Sequence, residues 1–282
     1  MKTSKISLFL CAMAIACSSI TASAQFKAPA PSPGQTIKQA FGLGDVTIDY
    51  SRPLVKNRII FGDLVPYGKI WRTGANGTTK LTFTEDVKLE GHDVKAGTYG
   101  LYTIPGDAAW DIMLTKDLSI AGNVANYNTD DEVVRFKVKT RALSNKVESF
   151  TIGMDAVTAT TAKLQLMWDR TMVSIKLSTD IDGKMMKNIE SALKADTRPY
   201  FQSANYYYDN DKDLEQALVW VNKAIEQNPA FYVVHLKAKI QLKMNDKRGA
   251  IETAKWSMKL AKEAQNDDYV RMNQKLIASA KA

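Results

Sequence analysis

The sequence predicts an α+β chain in two segments, an antiparallel β-sandwich or flattened barrel followed by an α-helical domain. Apolar residues alternate with period two from Val46 to Leu177, and near Ile181 the period changes to that of helices. The composition agrees: 282 residues, 45% hydrophobic and 24% charged, make a globular chain with length for one or two domains. The expected organisation is a signal peptide over 1–24, an extended leader over 25–45, the β-domain over 46–178 and the helical domain over 179–282.

The first 24 residues carry Lys2 and Lys5, an apolar run from Ile6 to Ala16, and Ala22-Ser23-Ala24 as a small-x-small cleavage site. That pattern predicts export, with the chain periplasmic or secreted after cleavage at Ala24. A lipid anchor on Cys17 is the competing reading. No other apolar run has the length of a membrane span, so none is expected. Cleavage would remove Cys11 and Cys17, leaving a chain that must fold in an oxidising compartment without disulfides.

Pro29, Pro31, Pro33, Gly34, Gly42 and Gly44 give the leader an extended, strap-like character. Nine strands are then expected, around Val46–Tyr50, Leu81–Phe83, Val87–Leu89, Tyr99–Leu101, Trp110–Leu114, Val134–Val138, Phe150–Ile152, Leu164–Trp168 and Val173–Leu177. Turn chemistry separates them at Glu90-Gly91-His92-Asp93, Lys95-Ala96-Gly97, Pro105-Gly106-Asp107 and Asp169-Arg170. Polar residues between the apolar ones give each strand one face for a core and one for water.

Beyond Ile181, Met186, Ile189 and Leu193 fall on one helical face. Thr197 and Pro199 start the next helix, and Leu214 to Ile225 forms a stripe ended by Asn228-Pro229. Asn245-Asp246 and Asn266-Asp267-Asp268 divide the remainder into three further helices. Phe201, Tyr208, Ala217, Ala224 and Pro229 match positions of the tetratricopeptide pattern, and Ala217 and Ala250 lie close to one repeat apart. This half therefore resembles a degenerate tetratricopeptide array, which implies a surface for a protein partner. Tyr200, Phe201 and Tyr206-Tyr207-Tyr208 read as a seam against the β-domain, with a peptide groove as the alternative.

Several function classes drop out. The net charge of +8, from 38 basic and 30 acidic residues, is spread without long runs, so nucleic acid is not an expected partner. His92 and His235 are the only imidazoles, each without a His or Cys neighbour, so neither a metal nor a cofactor is expected. No nucleophile elbow, Walker loop or dinucleotide fingerprint occurs. Asp86, Glu90, Asp93, Asp111 and Asp117 sit near strand ends and keep a carboxylate-pair hydrolase open.

The segment 50–79 follows neither period. It gathers Arg52, Arg58, Arg72, Tyr67, Trp71 and Asn76 among four glycines and two prolines. Guanidinium groups supply bidentate donors, the aromatic rings supply stacking faces, and Asn76 can orient a ligand. These six are the candidate ligand-binding residues, for an anionic or carbohydrate small molecule; no catalytic or metal-ligating residue is assigned. The alternative for the arginines is bracing of their own loop through backbone carbonyls.

The words YSRP (50–53), IFG-x-LVPYGK-x-WRTGAN (60–76) and AGTYGLYTIPG (96–106), with Trp110 after them, resemble an exported bacterial family known as domain of unknown function twenty-nine eleven. The resemblance spans roughly 29–178 and implies an architecture and an envelope location, without an activity. Gly77 stands where relatives commonly carry an acid, which argues against acid catalysis in that loop. The leading expectation is a non-catalytic ligand- or partner-binding module of the envelope; the alternatives are a carbohydrate-active hydrolase and a helical-repeat scaffold.

Overall fold

In a computed structural model the described residues are 29–120, 122–195 and 197–282. The segment read as a signal peptide and the start of the leader lie outside them. The chain divides into two compact units, one ending at Thr179 and the other beginning at Asp180.

The first unit is an antiparallel sheet of nine strands: β1 (Gly34–Phe41), β2 (Gly44–Ser51), β3 (Thr79–Phe83), β4 (Val87–Leu89), β5 (His92–Val94), β6 (Gly97–Ile104), β7 (Ala109–Thr115), β8 (Glu132–Asp155) and β9 (Thr161–Ser178). Their hydrogen-bonded order is β1-β2-β3-β6-β7-β8-β9-β4-β5. The long strand β8 makes the series continuous: it pairs with β7 through Glu132–Lys139 and with β9 from Thr140 onward. Inward residues of β2, β3, β6 and β7 share one hydrophobic cluster with those of β8, β9 and β4, so the sheet closes over a single core.

Three differences from the sequence expectation have physical causes. β1 forms inside the span read as a leader: Ile37, Gln39 and Phe41 turn to the covered side while Thr36, Lys38 and Ala40 are exposed, and Gly42, at φ +63°, opens a two-residue turn onto β2. His92 and Asp93 belong to β5, since Glu90 and Gly91 alone make the turn, both with positive φ as a type I′ hairpin requires. The expected strands on either side of Asp169-Arg170 are one strand, and those expected at Val134–Val138 and Phe150–Ile152 are likewise both part of β8. Buried positions on β9 are even from Ala162 to Trp168 and odd from Val173 to Leu177. That change of parity is accommodated by an irregular register opposite Val147, with Asp169 at φ +52°, rather than by a chain reversal.

The second unit has six helices: α1 (Asp182–Lys194), α2 (Tyr200–Asp209), α3 (Leu214–Gln227), α4 (Phe231–Lys243), α5 (Lys247–Glu263) and α6 (Asp267–Lys281). Asp213, Asp246 and Asn266 cap α3, α5 and α6, each side chain accepting the N–H three residues on at 2.8 to 3.1 Å. Ala204, Ala217, Ala238, Ala250 and Ala254 are fully buried, which lets helix backbones approach closely. The aromatic group is accounted for within this unit. Tyr207 meets Trp220 edge-on at 4.8 Å, Phe201 meets Tyr232 at 5.2 Å, and the Lys239 ammonium lies 4.2 Å from the Tyr208 ring centre. No helix among the described residues is long and apolar enough to cross a membrane.

A buried polar chain ties α4, α5 and α6 together. Asn273 donates through Nδ2 to Ser257 Oγ at 2.8 Å and to the Tyr269 carbonyl at 2.7 Å, and Ser257 donates to the Phe231 carbonyl at 2.8 Å. Oδ1 of Asn273 therefore accepts from His235 Nδ1, 2.8 Å away, which fixes the neutral tautomer with the proton on Nδ1. Burial holds the His235 imidazole below its ordinary value of 6.5, the Lys239 charge adds to this, and the bond to Asn273 opposes it. Because the unfolded chain binds this proton more readily, the contribution of His235 to stability is complete above about pH 6.5 and diminishes as the pH falls below it. Urea titrations followed by helical circular dichroism should show the midpoint dropping between pH 7 and pH 5, and His235→Gln should reduce that slope.

Candidate functional site

After Ser51 the chain leaves β2 and is fastened on two sides before it re-enters the sheet at β3. Val55 donates to the Glu148 carbonyl and Phe150 donates to the Pro53 carbonyl, both at 2.8 Å, which lays residues 53–55 along β8. Trp71 and Thr103 exchange backbone bonds at 2.8 and 2.9 Å, which binds the other end to β6. Val55, Ile60 and Val65 turn inward and are buried, so the segment is part of the core as well as part of the surface.

Trp71 occupies the centre of this arrangement. Its ring lies nearly parallel to Trp168 at 5.7 Å and edge-on to Phe150 at 5.1 Å, to Trp110 at 6.0 Å and to Phe61 at 6.2 Å. Its indole N–H donates to the Gly74 carbonyl at 3.2 Å. The next residues are held in a strained path. Thr73 has φ +54°, a value rare for a β-branched residue and costing about 1–3 kcal/mol. Its hydroxyl donates to Thr103 Oγ1 at 3.1 Å and its carbonyl accepts from Thr79 Oγ1 at 2.7 Å, which offsets that cost. Gly74, at φ +153°, has no room for a side chain: a Cβ there would stand 2.8 Å from Thr79 Oγ1 and 3.1 Å from the Ser51 carbonyl. Arg72 is thereby set between two fixed neighbours.

The six candidate residues separate into different roles. Arg52 donates from Nε to the Phe150 carbonyl at 3.0 Å and from Nη2 to Thr151 Oγ1 at 2.8 Å, bracing β8. Arg58 donates to the Val55 carbonyl at 3.0 Å and to the Leu54 carbonyl, closing its own turn. Asn76, in a left-handed conformation at φ +59°, donates to the Ser32 carbonyl at 3.0 Å and to Ser51 Oγ at 3.2 Å. Trp71 is core. Tyr67 is 45% exposed and borders a different cleft. Unlike the other two arginines, Arg72 makes no side-chain hydrogen bond or ion pair with any described residue, and its Nε is buried without an acceptor among them.

Arg72 lines a cavity of about 260 Å³ with Arg58, Trp71, Trp168, Ser32, Pro53, Leu64, Val65, Gly74 and Ala75. Trp168 also has a buried N–H without a partner. It went unnoticed in the sequence as a site residue because it sits in a regular strand pattern; only the parity change after it marks the position. No carboxylate among the described residues lines this cavity. The acids considered for catalysis are occupied elsewhere. Asp86 pairs with Lys95 at 2.8 Å, Asp93 with Lys88 at 2.5 Å and Asp111 with Lys137 at 3.7 Å, while Glu90 accepts from the Lys176 N–H at 2.6 Å. Hydrogen bonds from Lys88 and from Ser119 hold the Asp93 and Asp117 carboxyls below their ordinary range, the opposite of what a general acid needs. Among the described residues, no three His, Cys, Asp or Glu side chains come together as metal ligands.

Residues 32–177, nearly the whole of the sheet, match the model of a family described as "Protein of unknown function (DUF2911)". The chain belongs to that family. Searches of curated proteins and of solved structures gave no match. In this DUF2911 unit the YSRP word supplies a clamp, in which Tyr50 Oη accepts from the Ile152 N–H at 2.9 Å beside the Arg52 brace. The WRTGAN word supplies the central ring, the free guanidinium and the strained turn.

These roles predict unequal responses to truncation. Trp71→Ala should lower unfolding stability by about 3–5 kcal/mol through the cavity it leaves, and Arg52→Ala by about 1–3 kcal/mol through lost charge-assisted bonds. Arg72→Ala should change it by less than about 1 kcal/mol, since it breaks no bond. Denaturant midpoints of the three variants check this.

Proposed function

We propose that the chain is an exported, non-catalytic binding module whose β-unit takes a small anionic ligand in the cleft beside Arg72. The observation that carries this reading is the guanidinium itself. A partly buried cation whose Nε has no acceptor among the described residues is an unfavourable arrangement that an external carboxylate or phosphate relieves, through two parallel N–H···O bonds. Arg58 stands on the same cavity wall, and no described carboxylate there offers a competing negative charge. The absence of a facing carboxyl pair in this cleft favours binding over a hydrolase of the two-acid kind.

Export rests on the N-terminal pattern of charge, apolar run and small residues, and on the resemblance stated for the β-half. The helical half, with its tetratricopeptide-like spacing of small and aromatic residues, is proposed to serve a protein partner or a scaffold role.

Thermal shift with acetate, succinate, citrate and inorganic phosphate, each up to 10 mM, tests the ligand class. At least one should raise the melting temperature; an excess of about a hundredfold over Kd corresponds to about 2.7 kcal/mol of added stability. Arg72→Ala should abolish the shift and Arg72→Lys should reduce it, because a point charge replaces a fork. A shift of equal size in Arg72→Ala would remove the proposal.

A further inference from the structure

A second cleft, of about 160 Å³, is bordered by Tyr67, Asp107, Arg141 and Arg170, with Trp110 and Thr140 also on its wall. We infer that this cleft binds a neutral sugar ring, stacked on Tyr67 and hydrogen-bonded by Asp107 and Arg141. It requires no ligand at Arg72, and it goes beyond the anion site in both place and chemistry.

The platform is already in place. Tyr67 is 45% exposed, yet its ring is backed by Gly62, where an added Cβ would come within 3.0 Å of Cε2. Gly62 has φ +93° and donates its N–H to the Val65 carbonyl at 2.9 Å, while Gly68 donates to the Pro105 carbonyl at 2.9 Å. The turn carrying Tyr67 is thus fastened on both sides of the ring. An exposed aromatic face held in one orientation suits the C–H face of a pyranose, whose weakly positive hydrogens meet the negative π-surface.

The polar groups complete the argument. Among the described residues, the Asp107 carboxylate and the Arg141 guanidinium border the same cleft but are bonded neither to each other nor to any other side chain. Arg170 donates from Nη1 to the Ser144 carbonyl at 2.6 Å, which fixes its position beside them. A sugar hydroxyl donates and accepts at once, so it uses a free acceptor and a free donor together. A simple anion would use the arginines and be repelled by Asp107. The mixture therefore selects a neutral polyol, where the Arg72 cleft selects an anion.

Isothermal titration of the full chain with cellopentaose, maltopentaose, chitotetraose and, as the charged comparison, trigalacturonate tests the assignment. At least one neutral oligosaccharide should bind. Tyr67→Ala and Asp107→Ala should each weaken it about tenfold, Tyr67→Phe should keep it, and Arg72→Ala should leave it unchanged. The Tyr67, Asp107 and Arg141 variants should keep the wild-type denaturant midpoint, since these side chains are exposed. No binding by any neutral probe overturns the inference, as does binding that survives Tyr67→Ala. Binding of trigalacturonate alone, lost in Arg141→Ala and retained in Asp107→Ala, overturns the neutral class. Loss of sugar binding in Arg72→Ala would show one site instead of two. Failure of the anion site leaves these readouts untouched.

Discussion

The β-unit depends on one packing constraint, the insertion of Trp71 between Trp110 of β7 and Trp168 of β9. These strands lie on either side of β8 in the hydrogen-bonded order, and no ladder joins them directly. A ring delivered from the segment between β2 and β3 brings them into one cluster with Phe61 and Phe150. Large aromatic surfaces meeting edge-on and face-on supply both burial and orientation, and interiors at this density leave little room for an alternative arrangement. The loop that delivers the ring must then follow a prescribed path, which explains why a threonine at positive φ and a glycine without side-chain room stand immediately after it.

That path has an electrostatic consequence. Three arginines leave the same segment, and two of them close bonds to backbone carbonyls. The third is placed by a backbone fixed for another reason, the seating of Trp71, and its buried Nε meets no acceptor among the described residues. A protein selected for stability alone gains little from a buried guanidinium nitrogen without an acceptor among the described residues, a local cost of the kind that functional sites carry. The contrast between Arg52 and Arg72 therefore carries more functional information than the number of arginines in the segment.

Much of the architecture was legible in the sequence. Alternation from Val46 to Leu177 identifies most of the strand positions, and Asn228-Pro229, Asp246 and Asn266 mark helix ends, the last two as caps. What periodicity could not show was continuity. The change of parity in β9 reads equally as a turn or as a bulge, because both interrupt alternation, and only pairing with β8 distinguishes them. β1 was obscured by the prolines before it and the glycines at its ends, whose effect is local, whereas its pairing with β2 is tertiary. For the site, residue types pointed to the right segment but not to the division of labour within it. Whether an arginine meets a carbonyl depends on strands about a hundred positions away, as Arg52 and Phe150 illustrate.

The two clefts share their wall. Phe61 and Trp110 border the Tyr67 cleft, Trp71 and Trp168 border the Arg72 cleft, and the four rings touch one another. A rigid cluster holding groups on both sides is a sound support for recognition, since the groups above it keep their geometry without a ligand. The same sharing restricts what any substitution in the cluster can reveal. A change at Trp71 or Trp168 alters stability, both walls and the strained turn together, and loss of binding there carries no information about either cleft. Arg72 and Tyr67 stand at the rims, one without a bond to lose and the other exposed, so a change at either speaks for its own cleft alone.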